Sequence, residues 1–221
     1  MNVFDILVKY QQAFADGLIV TFQMCLIIWK AGIIFGALLG IAAARWPLIL
    51  GIPARLISFI LSGMPILVFL FWLHYPLQSL LGIVVDPFIT AVVTITIINI
   101  FAVSEIVRIA LIDFPSQYIV AAKVCGLSAF HTVLYIQLPI ILRQTLPGLL
   151  MIQVGMLHAT LFASLISVNE IFRVSQQINS VVYKPVEIYT ALGILFLAIC
   201  LPMNGLALWL RQQYTRDYSE R

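Results

Sequence analysis

Five long apolar runs constrain this chain more than any other feature; they cover roughly residues 17–44, 56–73, 88–112, 146–168 and 188–210. Each is long enough to cross about 30 Å of hydrocarbon as a helix. Hydrocarbon offers backbone N–H and C=O groups no partner, so a crossing segment must satisfy its own hydrogen bonds, and a helix does so. Composition agrees: 62% of the 221 residues are hydrophobic and 10% are charged, with a mean hydropathy of +1.08. A soluble domain carries about 25% charged residues. The expected fold is an all-α integral membrane protein, one transmembrane domain over residues 1–221 with about five membrane-spanning helices. The length leaves no room for an independent soluble domain beside them. Residues before Gly17 alternate apolar and polar enough to predict a short interfacial helix.

The remaining composition is mostly exclusionary. Cys25, Cys125 and Cys200 are widely scattered, with no paired spacing, so no disulfide framework is expected. No two His or Cys share metal-ligand spacing, so no metal site is expected. Met1 to Gln12 has no basic cluster and no small-residue cleavage pattern, which argues against a removable signal peptide. No nucleic-acid partner is expected.

Lys and Arg set the orientation. Arg45, Arg55, Arg108, Lys123, Arg143, Arg211, Arg216 and Arg221 fall on one side of a five-span layout. Lys9, Arg173 and Lys184 fall on the other, and Lys30 lies within the first run. The richer side is expected to be cytosolic, with the N-terminus outside and the C-terminus inside.

One extended polar interruption, about 113–145, separates the third and fourth runs on that cytosolic side. Pro115 followed by Ser116-Gln117-Tyr118 starts one helical stretch, which Gly126 ends; Ser128 caps a second, and Pro139 is expected to limit it. Ala121 and Ala122 leave a smooth face, and Gly126 lets the chain turn where a Cβ would obstruct it. Two short helices around a glycine make a compact knob.

The spacing Val120-Ala121-Ala122, three residues, Gly126, nine residues, Ile136, one residue, Leu138-Pro139 resembles the signature loop of permease subunits of bacterial ABC importers. That loop reads Glu-Ala-Ala, three residues, Gly, nine residues, Ile, one residue, Leu-Pro; Val120 stands where the family usually has Glu. The wider chain resembles the polar amino-acid uptake branch. The supporting pieces are Gly63-Met64-Pro65-Ile66-Leu67, Ser104-Glu105-Ile106-Val107-Arg108, Leu142-Arg143-Gln144-Thr145-Leu146-Pro147, Thr160 to Ser167, and Glu170-Ile171. The resemblance implies that Val120, Ala121, Ala122, Lys123, Gly126, Leu127 and Ser128 dock a separate ATPase subunit. It implies a second permease subunit, two ATPases that hold ATP and Mg, an extracytoplasmic solute-binding protein and a bacterial inner-membrane location. This chain would bind no cofactor and catalyse no reaction. It has no GxxxxGK[ST] phosphate loop.

The same resemblance marks a substrate path at Glu105, His158, Ser62 and Met64. Two departures matter there. Ser62 stands where the branch often has Arg, and His158-Ala159 where it often has Lys-Asp. A zwitterion out of water needs charge-assisted partners, so a non-identical permease partner is expected to supply them. From the residues alone, Glu105 is either on the path or paired with Arg108 three residues on. Lys30 is too deep to snorkel and faces a protein interface or a water-filled path. Gly32, Gly36 and Gly40 form two overlapping GxxxG steps, a close-packing face. The function expected is ATP-driven import of polar or basic amino acids or related small solutes. A secondary carrier would need an internal repeat or broken helices; an intramembrane enzyme would need a catalytic constellation; a non-transporting scaffold remains a further alternative.

Overall fold

The structure, a computed structural model, describes residues 2–219, with side chains described through Tyr214. The side chains of Arg216 and Arg221, counted above, lie outside this range. Its helices are α1 (Val3–Lys9), α2 (Gln11–Arg45), α3 (Ile52–Gly63), α4 (Ile66–His74), α5 (Pro76–Leu81), α6 (Pro87–Ile112), α7 (Ser116–Val124), α8 (Ala129–Thr132), α9 (Leu138–Ala159), α10 (Ile171–Val182) and α11 (Pro185–Ser219). Wider turns at Pro47–Gly51 and Val133–Gln137 and a tighter one at Thr160–Ile166 join successive helices. The described residues contain no strand.

Four rods are long and apolar enough to cross a bilayer: Gln11–Arg45, Pro87–Ile112, Ala129–Ile166 and Pro185–Tyr214. A fifth candidate, Pro47–Gly63 with Ile66–Leu81, is bent by 100°. Packing register shows that this bent pair is a crossing. A Cβ at Gly36 would sit 2.7 Å from Val103 Cβ, and one at Gly40 would sit 2.6 Å from Ser104 O, while Gly32 meets Asn99. Positions therefore rise together on α2 and α6, and the two helices run parallel. The chain leaves α2 at one membrane face and must enter α6 at the other, so Pro47–Leu81 carries it across. Asn99 pairs with Gln153 and Gly148 faces Ile106, which makes α9 antiparallel to α6. His158 meets Cys200, and Arg143 shares a cleft with Arg211, which makes α11 antiparallel to α9. Five crossings follow, with Gln11 and Arg211 at opposite ends.

Two expectations need correction. The second apolar run, 56–73, is not one straight helix. Met64 precedes proline, whose ring disfavours helical backbone at the residue before it, and Met64 is extended (φ −102°, ψ 126°). The helix therefore stops at Gly63 and restarts at Ile66. The polar interruption also ends earlier than 145, because helical backbone runs continuously from Ala129 through Ile166. Pro139 does not limit a helix. It sits in the first turn of α9, where a missing N–H matters least, and the wide turn Val133–Gln137 absorbs the mismatch.

Lipid provides little hydrophobic drive between helices, so close packing and interhelical hydrogen bonds hold the bundle. Gly32, Gly36 and Gly40 let α2 approach α6 until side chains of α6 touch its backbone. At that contact Asn99 Nδ2 donates to Ile28 O and to Gln153 Oε1, both at 3.0 Å, and Gln153 Nε2 donates back to Asn99 Oδ1 at 3.2 Å. Trp29 Nε1 donates to Gln153 O at 3.1 Å. Asn99 is fully buried and Gln153 nearly so. Three rods are joined at one point.

At the opposite end from Arg45, α10 lays Ile171, Val174 and Ile178 against Ile6, Phe14, Ile188 and Leu192. The segment between the fourth and fifth apolar runs is thus largely an amphipathic helix. Glu170 starts it. Its carboxylate is fully buried and accepts from Phe172 N at 2.9 Å and Arg173 N at 2.7 Å. Thr21 Oγ1 accepts from Ile171 N at 3.1 Å and ties this end to α2.

Replacing Asn99 by Leu strands the Gln153 amide and should cost about 2–3 kcal/mol. Adding Gln153→Leu should cost less than its single-variant value, because the stranded group is gone; thermal unfolding in detergent measures both. For Glu170, burial raises the carboxyl pKa from 4.5 to about 7 despite its two backbone donors. An acid whose folded value exceeds its unfolded one stabilises most below the unfolded value, and that stability falls as pH rises through the folded one. The midpoint of thermal unfolding should therefore rise as pH drops from about 7 toward 4.5. The Glu170→Gln protein should show a smaller slope over that window.

Candidate functional site

An open groove of about 550 Å³ lies between α3 and α6. Arg55, Ser58, Ser62 and Glu105 supply its polar lining, and Ile52, Leu56 and Phe59 its apolar wall. Arg55, Ser58 and Ser62 recur at helical spacing along one face of α3. Ser62 lies next to the helix break, about 16 residues and so roughly 24 Å along the helical path from Pro47. The break is therefore at hydrocarbon depth, where irregular backbone persists only if protein or a water-filled cavity borders it. Such breaks leave the carbonyls of one helix end and the N–H groups of the next without helical partners. Ser62 Oγ donates to Phe59 O at 2.9 Å, and Met64 N donates to Leu61 O at 3.3 Å, so two carbonyls of α3 are partly satisfied.

Glu105 pairs with Arg108 on the next turn of α6. Arg108 Nη2 lies 2.6 Å from Glu105 Oε1 and Arg108 Nε 2.8 Å from Oε2. This two-pronged pair satisfies one lone pair on each oxygen, and an ionised carboxylate offers about four acceptor sites. Glu105 is also part of the groove lining. The two readings of Glu105, path or pair, are therefore compatible.

The structure brings Ser62 and Glu105 into one groove, with Met64 in the adjoining break. His158 is not there. Its Nε2 lies 3.3 Å from Cys200 Sγ, and its ring lies 6.3 Å from that of Phe196 on α11. Lys30 is exposed on the outer side of α2 among Leu26, Ile27, Ile33 and Ile34. Sequence reasoning missed Asn99, Gln153, Arg55 and the role of Glu170; an amide inside an apolar run was the available signal for the first two.

The knob forms just beyond the same end of α6, after Ile112. α7 closes on a glycine-based cap: Gly126 has φ +76°, Gly126 N donates to Lys123 O and Leu127 N donates to Ala122 O, both at 3.0 Å. Those two bonds with a left-handed residue satisfy the last carbonyls of the helix. Beyond its chain neighbours, no atom lies within 4 Å of a Cβ placed at Gly126, so the obstruction to a side chain is the left-handed backbone of the turn itself. Ser128 then accepts from His131 N at 3.4 Å and starts α8. Ala121 faces out, whereas Ala122 is buried, so the two do not share one exposed face. Val120, Val124 and Phe130 are 58%, 83% and 70% exposed. The tip of the knob thus presents apolar side chains to water, which marks a contact surface. Lys123 and Leu127 are exposed beside them.

Residues 32–216 match the family described as binding-protein-dependent transport system inner membrane component. The chain is 32% identical over 179 residues to the octopine transport system permease protein OccM of Rhizobium meliloti, covering 77% of this chain and 70% of that one. It is 29% identical over 174 residues to the glutamine transport system permease protein GlnP of Escherichia coli, covering 78% and 80%. It is 24% identical over 214 residues to the histidine/lysine/arginine/ornithine permease HisQ of Salmonella typhimurium, covering 90% and 92%. Its fold is similar to a chain in a crystal structure of an amino acid ABC transporter with histidines, at a TM-score of 0.81 and 22% identity over 93% of this chain and 96% of that one. The five-crossing bundle, the knob between its third and fourth crossings and these matches agree: the chain belongs to the inner-membrane permease components of binding-protein-dependent transport systems.

Proposed function

We propose that this chain is one half of the membrane channel of an ATP-driven importer for polar or basic amino acids or related small solutes. The observation that carries the substrate class is the broken second crossing beside Glu105. The carbonyl end of α3 carries partial negative charge, and the amide end of α4 carries partial positive charge. These ends offer an amino acid's ammonium and carboxylate partners that the side chains at Ser62 and Ala159 do not. Glu105, with acceptor capacity left, favours a substrate bearing an additional positive charge. The named solutes of the similar proteins are octopine, glutamine and histidine/lysine/arginine/ornithine; the last group includes side chains with an additional positive charge, whereas glutamine's is neutral.

The partner chain is a second, non-identical permease, because the arginine and aspartate that a zwitterion favours are absent here. Two ATPase subunits receive the exposed tips at Val120, Val124 and Phe130. They hold ATP and Mg, and this chain hydrolyses nothing. A solute-binding protein docks on the opposite face, near α10. The basic excess at Arg45, Arg55, Arg108, Lys123, Arg143 and Arg211 supports a cytosolic location for the knob and C-terminus and an outside N-terminus. A broken helix also occurs in secondary carriers, but membership of this transport family favours the ATP-driven reading.

The test is reconstitution with the ATPase, partner permease and binding protein in vesicles. Labelled glutamine, histidine and arginine should enter only when ATP reaches the knob side. Gly126→Ala places a Cβ in a left-handed residue at about 1–2 kcal/mol and should weaken ATPase retention by roughly fivefold or more. Gly126→Asn, which tolerates that backbone, should retain most of it. Full uptake by Gly126→Val would refute docking through the knob. Pro65→Ala should let α3 and α4 fuse and abolish uptake while the complex still co-purifies; unchanged uptake would remove the helix break from the path.

A further inference from the structure

A second cavity, of about 380 Å³, lies in a cleft between α9 and α11, where Gly148 abuts Ile106, the chain neighbour of Glu105 on α6. Arg143 and Arg211 stand at its mouth with Gln144 and Tyr214, and Pro147, Gly148 and Met151 line the rest. The two arginines belong to different crossings. Each sits directly at the end of an apolar run, Arg143 before 146–168 and Arg211 after 188–210. Because α9 and α11 are antiparallel, both guanidinium groups come to the same membrane boundary. From there Pro147, Gly148 and Met151 continue toward the hydrocarbon.

This arrangement has a cationic mouth at headgroup level and an apolar floor directed into the bilayer. An ordinary solute would meet the floor with a mismatched polar end. A phospholipid matches both parts: its phosphate meets the guanidinium groups and an acyl chain lies along the floor. Guanidinium is suited to phosphate because its planar donors reach two oxygens at once. Basic clefts between membrane helices on the cytosolic side favour anionic headgroups. We infer that the cleft between α9 and α11 binds an anionic phospholipid of the leaflet on the basic side. The site is distinct from the α3–α6 groove and takes no part in substrate recognition. Its role is to pin the basic end of α11 against α9, the rod that carries the knob.

The assembled transporter, placed in nanodiscs of phosphatidylcholine with a minor fraction of phosphatidylglycerol, supplies the test. Lipids retained through purification are counted by native mass spectrometry. The wild-type complex should retain phosphatidylglycerol well above its mole fraction. Arg143→Gln or Arg211→Gln should each lower that enrichment about fivefold, and the double variant about 25-fold. Replacing both by Lys should keep part of the enrichment, which separates loss of charge from loss of fold. Arg45→Gln, at the same membrane face but outside the cleft, should change nothing. Undiminished enrichment in the Gln double variant overturns the inference. So does an equal loss in Arg45→Gln, which would indicate general surface attraction. Loss of the ATPase without loss of lipid would mean that the arginines dock protein. Displacement of the lipid by millimolar inorganic phosphate would assign the site to a free anion.

Discussion

The reciprocal amide pair between Asn99 and Gln153 fixes this bundle. In lipid an unpaired amide is costly, and helices gain little from burying apolar surface against one another. The Asn99 side chain therefore ties the backbone of α2 at Ile28 and the amide of α9 at Gln153 to one point on α6. That contact exists only because Gly32 leaves space for the Asn99 amide. Once α2, α6 and α9 are locked with α2 and α6 parallel, the chain has only one way to connect them. The second crossing is then split: α4 packs Leu70, Ile66 and Phe71 into the core shared with Met24 and Ile95, while α3 stays largely exposed along the groove.

The groove and the knob are joined mechanically through the same helices. Glu105 and Arg108 sit near the end of α6, and α6 leads through a short turn into α7. On the return path the rod from Ala129 to Ile166 is 38 residues long, about 57 Å if helical throughout. It begins in the knob, passes Gln153 at the amide lock and reaches the tight turn before Glu170. No non-helical loop interrupts the backbone between the second helix of the knob and the amide lock. The tight turn Thr160–Ile166, the positive φ of 73° at Ser167 and the buried Glu170 cap form the far end of that rod.

Legibility followed the strength of the local physical signal. The crossings could be read because nearly every position in them is apolar. Gly126 and Ser128 could be read because a left-handed cap and a helix start each demand a particular residue type. Pro139 misled because in the first turn of a helix a proline's missing N–H matters least, and α9 runs on even through Pro147 in its interior. Met64-Pro65 misled because a run of apolar residues has the same composition whether or not its helix is broken. His158 was assigned from a matching position, but its neighbours on α11 lie 42 residues away in sequence. Arg55 escaped notice because it looked like a loop charge, although it lies on the groove face of α3.

The sequence by itself determined that the chain lives in a bilayer, that about five helices cross it, that its basic side carries a glycine-hinged knob and which transport family it resembles. These properties are local: apolar length, charge position and turn chemistry act over a few residues to a few turns. Only the tertiary structure decided that the second crossing is broken, that Ser62 and Glu105 share a groove while His158 does not, and that Asn99 joins three helices. Those outcomes depend on which faces of distant helices meet. Helix rotation and register are set by small gaps such as Gly32 and by partners such as Gln153, 54 residues from Asn99.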